Sequence, residues 1–358
     1  MSARDVERRG APVWIALAVL AACALGAGPA RGADKAPDGT PVTGIPDGYV
    51  LTEGDILVRT SELVSAGSRK YATFQADKLW PGGVVPYALD PSVSGVQARV
   101  DSILAAMDSL MTAKYGSAIT FVPRTNQADY IYYIDGGGNF SPVGKQGGRQ
   151  DIHVVSWGTT TVICHETMHA VGFWHEQSRP DRDTYVTINL QNVCQTCCSG
   201  NSCNSNFVIV PGSTTYGPYD FDSVMQYDQC AFSMGTCPGS ETITVNQPWT
   251  STWQDAIGQR THLSRMDKVT LSFLYPLANW RFADAFGFGL GSGGFLDPWH
   301  SLAFAVASMP SGGTLYAQPG SYTAPLSGSL STPMTIAAPL GQVQISRAPS
   351  APRDASHP

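Results

Sequence analysis

Two histidines and a glutamate occur at the spacing of a metal site on a helix. His165 and His169 are four residues apart, so a helix would place both imidazoles on one face with Glu166 beside them. Zinc in a catalytic site takes three protein ligands and keeps one position for water. Gly172 can end the helix in the left-handed conformation, and His175 then completes the set. This stretch predicts a hydrolytic zinc site; the simpler interpretation is that these are ordinary helix histidines.

A second stretch, residues 223–227, fits beside such a site. It reads Ser-Val-Met-Gln-Tyr, and the extended histidine pattern followed by a methionine turn resembles the metzincin signature. Met225 is predicted to form an apolar floor under the three imidazoles. The Tyr227 phenol is predicted to donate to the oxyanion of a tetrahedral intermediate, although it could also be core filling.

The chemistry that these residues indicate is hydrolysis of a peptide bond. Glu166 is predicted to accept a proton from a water whose pKa zinc lowers toward neutrality. The same carboxyl can then pass that proton to the leaving amine. Glu166 is therefore the predicted general base.

Strand and helix patterns surround the histidine stretch. The elements that would position it are predicted as strands at 84–89, 119–122, 130–134 and 152–155 and as helices at 96–111 and 160–171. The long first helix is amphipathic and should pack on the sheet. The predicted fold class is therefore α+β.

The N-terminus has the pattern of an export signal. Three arginines precede an apolar stretch over 11–27, which is short for spanning a bilayer. Small residues at 28–30 suit signal cleavage, which predicts a signal peptide over 1–30 and a secreted protein. The alternative is that Leu-Ala-Ala-Cys at 20–23 is a bacterial lipobox, and a lipidated Cys23 then anchors the protein to the membrane at the cell envelope.

Cysteine is concentrated in one part of the chain. Seven cysteines follow Cys23, and six of them lie between positions 194 and 237. In an oxidising compartment this density predicts disulfides, with the pairing left open. A structural zinc knot is the weaker alternative, because no histidine lies in that span. Cys164 is interpreted as a buried small hydrophobe or a disulfide partner.

Two segments of different composition flank the predicted peptidase region. Residues 31–70 are predicted to be a propeptide lying along a surface, because Gly, Pro, Thr and Ser are frequent and periodicity is weak. Residues 278–358 contain no Lys and no Glu. They are predicted to form a separate module or a low-complexity tail.

The C-terminal segment has short elements bounded by Gly or Pro. A helix is predicted at 302–309, and strands are predicted at 314–317, 334–337 and 342–345. The arrangement resembles the opening coil of right-handed parallel β-helix proteins. One or two coils bury little apolar surface alone, so we expect this segment to pack on the catalytic domain or to bind glycan.

From Trp80 to Tyr275 the chain resembles the astacin peptidases. The resemblance rests on the extended zinc motif with Glu176 directly after the third histidine, and on the stretches 80–87, 121–124, 179–189 and 257–260. It implies a two-lobed metzincin domain over 71–277, one Zn²⁺, and protein or peptide substrates. It also implies that Tyr227 is a fifth zinc ligand, and that Glu176 pairs with the N-terminus formed on activation.

The resemblance extends to latency. Residues 53–56, Glu-Gly-Asp-Ile, are similar to the inhibitory motif of astacin zymogens, whose aspartate takes the open zinc position. Asp55 is therefore the expected propeptide switch, although Thr52 stands where the family has Phe. Cleavage at Arg69-Lys70 would leave Tyr71 as the new N-terminus, at the family's distance from Trp80.

The chain also departs from the family pattern. Ala118, Asn139 and Trp157 stand where the family has cysteines, and no cysteine follows Tyr275. The usual disulfides are therefore not expected. Gln226 replaces the common His of the methionine turn.

The function that follows is a secreted zinc endopeptidase made as a zymogen, with cleavage before Asp or Glu as the family's common preference. The main alternative is a non-catalytic adhesion or glycan-binding protein that uses the peptidase fold as a scaffold, with Tyr316 and Tyr322 as its ligand surface. The intact Glu166 argues against it. Nucleic acid is not an expected partner, because the net charge is −6 and the 22 Lys and Arg form no basic run.

Overall fold

The computed structural model describes residues 34–37, 41–62, 78–112, 117–198, 202–210, 213, 215, 217–285, 291–294, 298–324, 332–339 and 341–347. The predicted signal peptide with Cys23 and the predicted activation site at Arg69-Lys70 with Tyr71 lie outside these residues. Within the described ranges, no helix is both long enough and apolar enough to cross a membrane.

The strands are short and occur along the whole described chain. In chain order they are β1 (Asp34–Lys35), β2 (Pro41–Val42), β3 (Tyr49–Thr52), β4 (Ile56–Arg59), β5 (Val84–Leu89), β6 (Thr120–Pro123), β7 (Tyr130–Asp135), β8 (Ser141–Pro142), β9 (Arg149–Val154), β10 (Val186–Ile188), β11 (Ile243–Val245), β12 (Trp280–Ala283), β13 (Gly313–Ala317), β14 (Gly320–Ala324), β15 (Met334–Ala337) and β16 (Val343–Arg347).

The α-helices are α1 (Pro91–Ser94), α2 (Gln97–Met111), α3 (Thr160–Ala170), α4 (Thr250–Trp253), α5 (Arg265–Leu274) and α6 (Leu302–Ser308). Short 3-10 turns are at Thr60–Glu62, Pro81–Gly83, Glu176–Ser178, Arg182–Thr184, Leu190–Asn192 and Cys203–Phe207. The helices and strands predicted for the peptidase region all have counterparts here, with ends shifted by up to three residues. The mixture of helices and strands confirms the α+β class.

The first lobe is built on a parallel sheet. Its strands lie in the order β6-β5-β7-β9, and every neighbouring pair in it is parallel. Helix α2 packs against it with Ile103, Met107 and Leu110, which recur at helical spacing and are buried. Helix α3 contributes Ile163 and Met168 to the same core. The helix that carries the first two histidines is therefore held between a second helix and a sheet.

The second lobe has its own aromatic core and holds the disulfides. Tyr219, Phe221, Tyr227 and Phe232 are buried together, beside the antiparallel pair β10 and β11. The disulfides join Cys194 to Cys197, Cys198 to Cys203 and Cys230 to Cys237. The predicted disulfides are thus confirmed, and each closes a short local loop. Cys164 is buried and unpaired, so the interpretation as a small hydrophobe is the correct one.

Hydrogen bonds are formed at two positions where the resemblance led us to expect cysteines. The Asn139 Oδ1 accepts from the Val155 and Ser156 amides at 2.9 and 3.1 Å. The Ala118 amide donates to the Tyr275 carbonyl at 2.7 Å. These bonds hold neighbouring parts of the first lobe together without covalent cross-links.

The C-terminal segment forms stacked parallel strands. Strand β13 lies between β12 and β15, and β14 pairs with β16, all in parallel. The strands are therefore stacked as in a parallel β-helix, three deep at β12, β13 and β15 and two deep at β14 and β16. Strands β12 and β13 pack on α5, where the Phe273 ring lies 5.3 Å from Phe282 and 5.4 Å from Tyr316. These contacts show that the segment packs on the preceding part of the chain, as expected.

The tyrosines considered as a ligand surface are inside this module. Tyr316 is 6% exposed and Tyr322 is 3% exposed. The Tyr322 hydroxyl donates to the Ala283 carbonyl at 2.9 Å. Their assignment to an exposed glycan-binding surface was wrong, because Tyr316 is buried against helix α5 and Tyr322 is buried in the core of the C-terminal segment.

Candidate metal centre

Helix α3 brings the first two histidines together and then stops. His165 and His169 are 2% and 0% exposed, and their Nε2 atoms are 3.1 Å apart. The Phe173 amide donates to the Met168 carbonyl and the Gly172 amide to the His169 carbonyl, which is a Schellman ending. Gly172 has a φ of +114°, a conformation that favours glycine. The turn it makes returns the chain toward the helix.

The third histidine joins the pair after that turn. His175 is 1% exposed, and its Nε2 lies 3.4 Å from that of His165. Three imidazole nitrogens therefore converge on one buried point. Lone pairs this close repel one another, so the arrangement favours a cation between them.

The opposite nitrogen of each imidazole has its own partner. The Nδ1 atoms bond to the Val224 carbonyl at 2.7 Å for His165, the Phe173 carbonyl at 2.8 Å for His169, and the Glu53 carboxylate at 2.7 Å for His175. An Nδ1 that donates its proton leaves Nε2 with a free lone pair, which is the form that binds a metal. The outer contacts thus fix the tautomers that zinc requires.

A carboxylate from the N-terminal segment completes the cluster. Strands β3 and β4 form an antiparallel hairpin, and β4 lies parallel to β8 at the edge of the first lobe. The hairpin turn places Asp55 Oδ2 3.2 Å from the Nε2 atoms of both His165 and His175. Ligand atoms of Asp55 and the three histidines all lie within 4.8 Å of one another and could hold a metal ion. Three imidazoles and one carboxylate are a donor set that fits zinc.

The turn before Asp55 tolerates only glycine at position 54. Gly54 has a φ of +73°, and a Cβ there would lie 2.4 Å from the Phe232 ring. A side chain at this position would clash with Phe232 and with Pro37. The glycine of the sequence motif is therefore a packing requirement.

Burial and charge act against each other at the carboxyl groups. Burial raises the pKa of Asp55, but the charges and hydrogen bonds of His175 and His165 outweigh it and bring the pKa well below its usual range. Burial and the Asp55 charge together raise the pKa of Glu166 well above its usual range. A carboxyl with a raised pKa is suited to exchange protons near neutral pH.

Glu166 is buried without a complete set of partners. It is 2% exposed, and its Oε2 makes no hydrogen bond to any described residue. Buried carboxylate oxygens are normally satisfied, so an unsatisfied one beside a histidine cluster makes Glu166 a candidate for a functional group.

The methionine turn is anchored from helix α5. Asp267 accepts from the Ser223 hydroxyl at 2.6 Å and from the Val224 amide at 3.0 Å, while the Val224 carbonyl holds His165. Met225 is 1% exposed in the core of the first lobe. Asp267 was not among the predicted site residues. Its position three residues after Ser264 is nevertheless typical of a capping box at the start of a helix.

Tyr227 lies against the third histidine from the second lobe. Its ring centroid is 4.6 Å from that of His175, and the side chain is fully buried. Its hydroxyl donates to the Glu53 carbonyl, so the N-terminal hairpin occupies it in this form of the protein.

Glu176 pairs with an arginine beside a cleft. Its Oε1 accepts from Arg179 at 2.7 Å and from the Asp220 amide at 2.8 Å. Burial raises the pKa of Glu176 to about 7, against the lowering effect of Arg179. The adjoining cleft is lined by residues that include Trp174, Met225 and Asp220. The predicted partner of Glu176, the N-terminus at Tyr71, lies outside the described residues.

Arg260 lies in the stretch 257–260 that resembles the astacin peptidases, but the resemblance assigned it no function. Its Nη1 donates to the Gln226 and Gln259 carbonyls at 3.0 and 2.9 Å. The positive charge of Arg260 acts to lower the pKa of Glu166, and the negative charge of Asp55 acts to raise the pKa of Arg260. The guanidinium is therefore close enough to the histidine cluster to interact electrostatically with both carboxyl groups.

A helix-borne histidine cluster between two lobes, with a buried glutamate beside it, is the arrangement of the zinc metallopeptidases. The family model described as Astacin, a peptidase family, matches residues 72–276, which is more than half of the 358 residues. The chain belongs to the astacin family.

Two curated relatives illustrate the similarity. Zinc metalloproteinase nas-6 of Caenorhabditis elegans is 36% identical over 202 residues, which cover 55% of this chain and 53% of that protein. High choriolytic enzyme 1 of Oryzias latipes is 34% identical over 196 residues, covering 54% of this chain and 66% of that protein. The chain thus spans between half and two thirds of the length of these relatives.

A solved structure is also similar. High choriolytic enzyme 1, a hatching enzyme zinc-protease from Oryzias latipes, aligns with 57% of this chain and 96% of that one, at 31% identity and a TM-score of 0.47.

Proposed function

We propose that this protein is a secreted zinc-dependent endopeptidase made as a zymogen, with His165, His169 and His175 as zinc ligands and Glu166 as general base. The observation that carries the proposal is the buried convergence of three Nε2 atoms, each with its Nδ1 already bonded. The unsatisfied Glu166 oxygen beside them supports it.

The residues of the chain would act in sequence on a peptide bond. When bound, zinc supplies a Lewis acid and lowers the pKa of a bound water. Glu166 accepts the proton of the attacking water and delivers it to the leaving amine. Tyr227, once released from the Glu53 carbonyl, donates its hydroxyl to the oxyanion. The resemblance further assigns Tyr227 as a fifth ligand before that movement.

The domain organisation supports latency. We assign 1–30 to a signal peptide, 31–70 to a propeptide, 71–277 to the catalytic domain and 278–358 to the C-terminal segment. The hairpin of β3 and β4 places Asp55 at the histidines, where it would exclude a substrate carbonyl. After cleavage at Arg69-Lys70, the new N-terminus would enter the cleft beside Glu176.

The function is tested by combining activation with metal removal. A chain lacking residues 1–33 is expected to cleave casein only after nicking by trypsin, and 1,10-phenanthroline should abolish that cleavage. Added zinc should restore it, because binding of a metal ion by histidine side chains is reversible. A nicked protein that binds zinc and cuts no peptide in a diverse library would contradict the proposal.

The latency switch gives a prediction for the intact chain. Asp55→Ala should raise the residual activity of the chain before nicking by ~10- to 100-fold, because charge-assisted hydrogen bonds contribute about 1.5–3 kcal/mol each. The initial rate on a fluorogenic peptide measures this. Asp47→Asn, an exposed acidic residue of the same segment, is the control and should stay latent. Equal latency in both variants would remove Asp55 as the switch.

Specificity can be tested at Arg260. We propose that its guanidinium receives an acidic side chain after the scissile bond, which supports the expected cleavage before Asp or Glu. Arg260→Gln should reduce the ratio of kcat/KM for an Asp peptide over its Ala counterpart by ~10- to 100-fold, as expected for losing a hydrogen bond to a charged group. Arg124→Gln, at an exposed arginine, should leave the ratio unchanged. An unchanged ratio in Arg260→Gln would place the acidic preference elsewhere or remove it.

A further inference from the structure

Glu53 is a buried carboxylate next to the metal centre, and the sequence motif gives it no role. It is 0% exposed and precedes Gly54 in the turn between β3 and β4. Its φ of +49° is a left-handed conformation that residues with a side chain rarely adopt. A fully buried acid in such a conformation persists only where the surroundings hold it in place.

Its contacts are with groups of the proposed catalytic apparatus. The Oε2 lies 2.7 Å from His175 Nδ1 and accepts from the Ser178 hydroxyl at 2.8 Å. Its backbone carbonyl accepts from the Tyr227 hydroxyl. One residue of the N-terminal hairpin therefore touches the outer side of a ligand and the proposed oxyanion donor.

The three histidines differ in where their outer partners come from. His165 and His169 bond to the Val224 and Phe173 carbonyls, which belong to the domain itself. Among the three Nδ1 atoms, only that of His175 has its partner in the N-terminal segment. Removing that segment takes the partner of one ligand away and leaves the partners of the other two.

The chemistry of this partner is also different. A carboxylate that accepts the outer proton of a ligating imidazole fixes the ring and increases its basicity, which strengthens the bond to the metal. A carbonyl orients the ring but contributes no full charge. The His175 pair is therefore the strongest of the three outer contacts.

We propose that Glu53 is a second latency residue, which acts as the outer carboxylate partner of His175 and holds the Tyr227 hydroxyl away from the substrate position. The intact chain then binds zinc more tightly than the activated enzyme, and activation releases both His175 and Tyr227. This inference rests on the proposal that residues 31–70 are a propeptide. It assigns Glu53 as a positioning residue, distinct from Asp55 at the metal position.

The test measures zinc affinity and requires no peptide cleavage. Glu53→Gln keeps the size of the side chain and removes its charge. In the intact chain it should weaken zinc binding by about 10- to 100-fold, the usual effect of losing an outer-shell partner. Affinity is measured by competition with a chelator of known zinc affinity. The protein is separated from the chelator, and the zinc that remains bound to the protein is then measured.

Two controls assign the effect to Glu53. Asp47→Asn changes an exposed carboxylate of the same segment and should bind zinc as the unchanged chain does. After nicking and removal of the propeptide, the Glu53→Gln protein should match the unchanged protein, because position 53 is then gone. Glu53→Asp, which keeps the charge but shortens the reach, gives a second variant should Glu53→Gln fail to fold, and it should weaken zinc binding in the same direction.

The contribution of Asp55 to zinc affinity is measured separately with Asp55→Asn. In this intact variant, zinc should still bind more tightly than in the nicked form, since Glu53 remains on His175. Equal zinc affinity of intact Glu53→Gln and the unchanged intact chain would overturn the proposal. A chain that shows the expected affinities and yet cuts no peptide would contradict the endopeptidase proposal, while the role of Glu53 as the outer partner of His175 in zinc binding would still stand.

Discussion

The Glu166→Gln chain, once nicked, should bind zinc normally and cleave casein ~10²- to 10⁴-fold more slowly than the unchanged enzyme. An amide has the same shape as a carboxylate but cannot accept the proton of the attacking water. The Glu166 carboxyl is buried beside the three histidines with one oxygen unsatisfied. Among the described residues, the other carboxylates in contact with these histidines are those of Asp55 and Glu53, which both belong to the proposed propeptide. Metal content and the initial rate are read on the same sample.

A surface acid provides the control for this experiment. Asp101→Asn makes the same chemical change on the exposed face of α2 and should leave both zinc content and rate unchanged. If Glu166→Gln retained its rate with zinc bound, another group would have to be the base. If it lost zinc, the residue would have a structural role in the site.

The second large effect is expected at Tyr227. Tyr227→Phe in the nicked enzyme should lower kcat by ~10²- to 10³-fold with little change in KM, which is the pattern of a donor that acts on the transition state. The ring should remain in place, because it is packed against His175, Phe207 and Phe232 and is fully buried. Steady-state kinetics on a fluorogenic peptide separate the two constants.

Tyr219→Phe is the matched control for that variant. It removes a buried hydroxyl from the same lobe, which donates to Gln226 Oε1. Tyr219 has no described contact with the three histidines. Its kcat should be close to that of the unchanged enzyme. A similar fall in both variants would mean that the loss follows from packing of the lobe. An unchanged kcat in Tyr227→Phe would leave Tyr227 as core filling.

Helix α5 connects the C-terminal segment to the metal centre. At its start Asp267 fixes the methionine turn, whose Val224 carbonyl holds His165. Near its end Phe273 packs on two aromatic rings of the C-terminal segment, Phe282 of β12 and Tyr316 of β13. These strands thus cover an apolar face of the helix that anchors one proposed ligand, so the C-terminal segment is part of the support of the site.

Local spacing determined the first half of the metal centre. The four-residue interval between His165 and His169 gives a shared helix face, and Gly172 permits the ending that the structure shows. Periodicity likewise located α2, α3 and the strands of the parallel sheet, because these patterns repeat over neighbouring residues. The cysteine density predicted disulfides, but the pairing was open until the three local bonds were seen.

Contacts between distant residues were decided only by the tertiary structure. Glu53 and His175 are 122 positions apart, and nothing in either local sequence indicates that their side chains meet. The same holds for the charge of Arg260 near Glu166 and for the burial of Tyr316 and Tyr322. A helix or turn is specified by residues within a few positions of one another, whereas the outer partners of a metal ligand depend on how separate elements pack. The sequence by itself therefore determined the proposed ligands and base, and the fold determined what holds and occupies them.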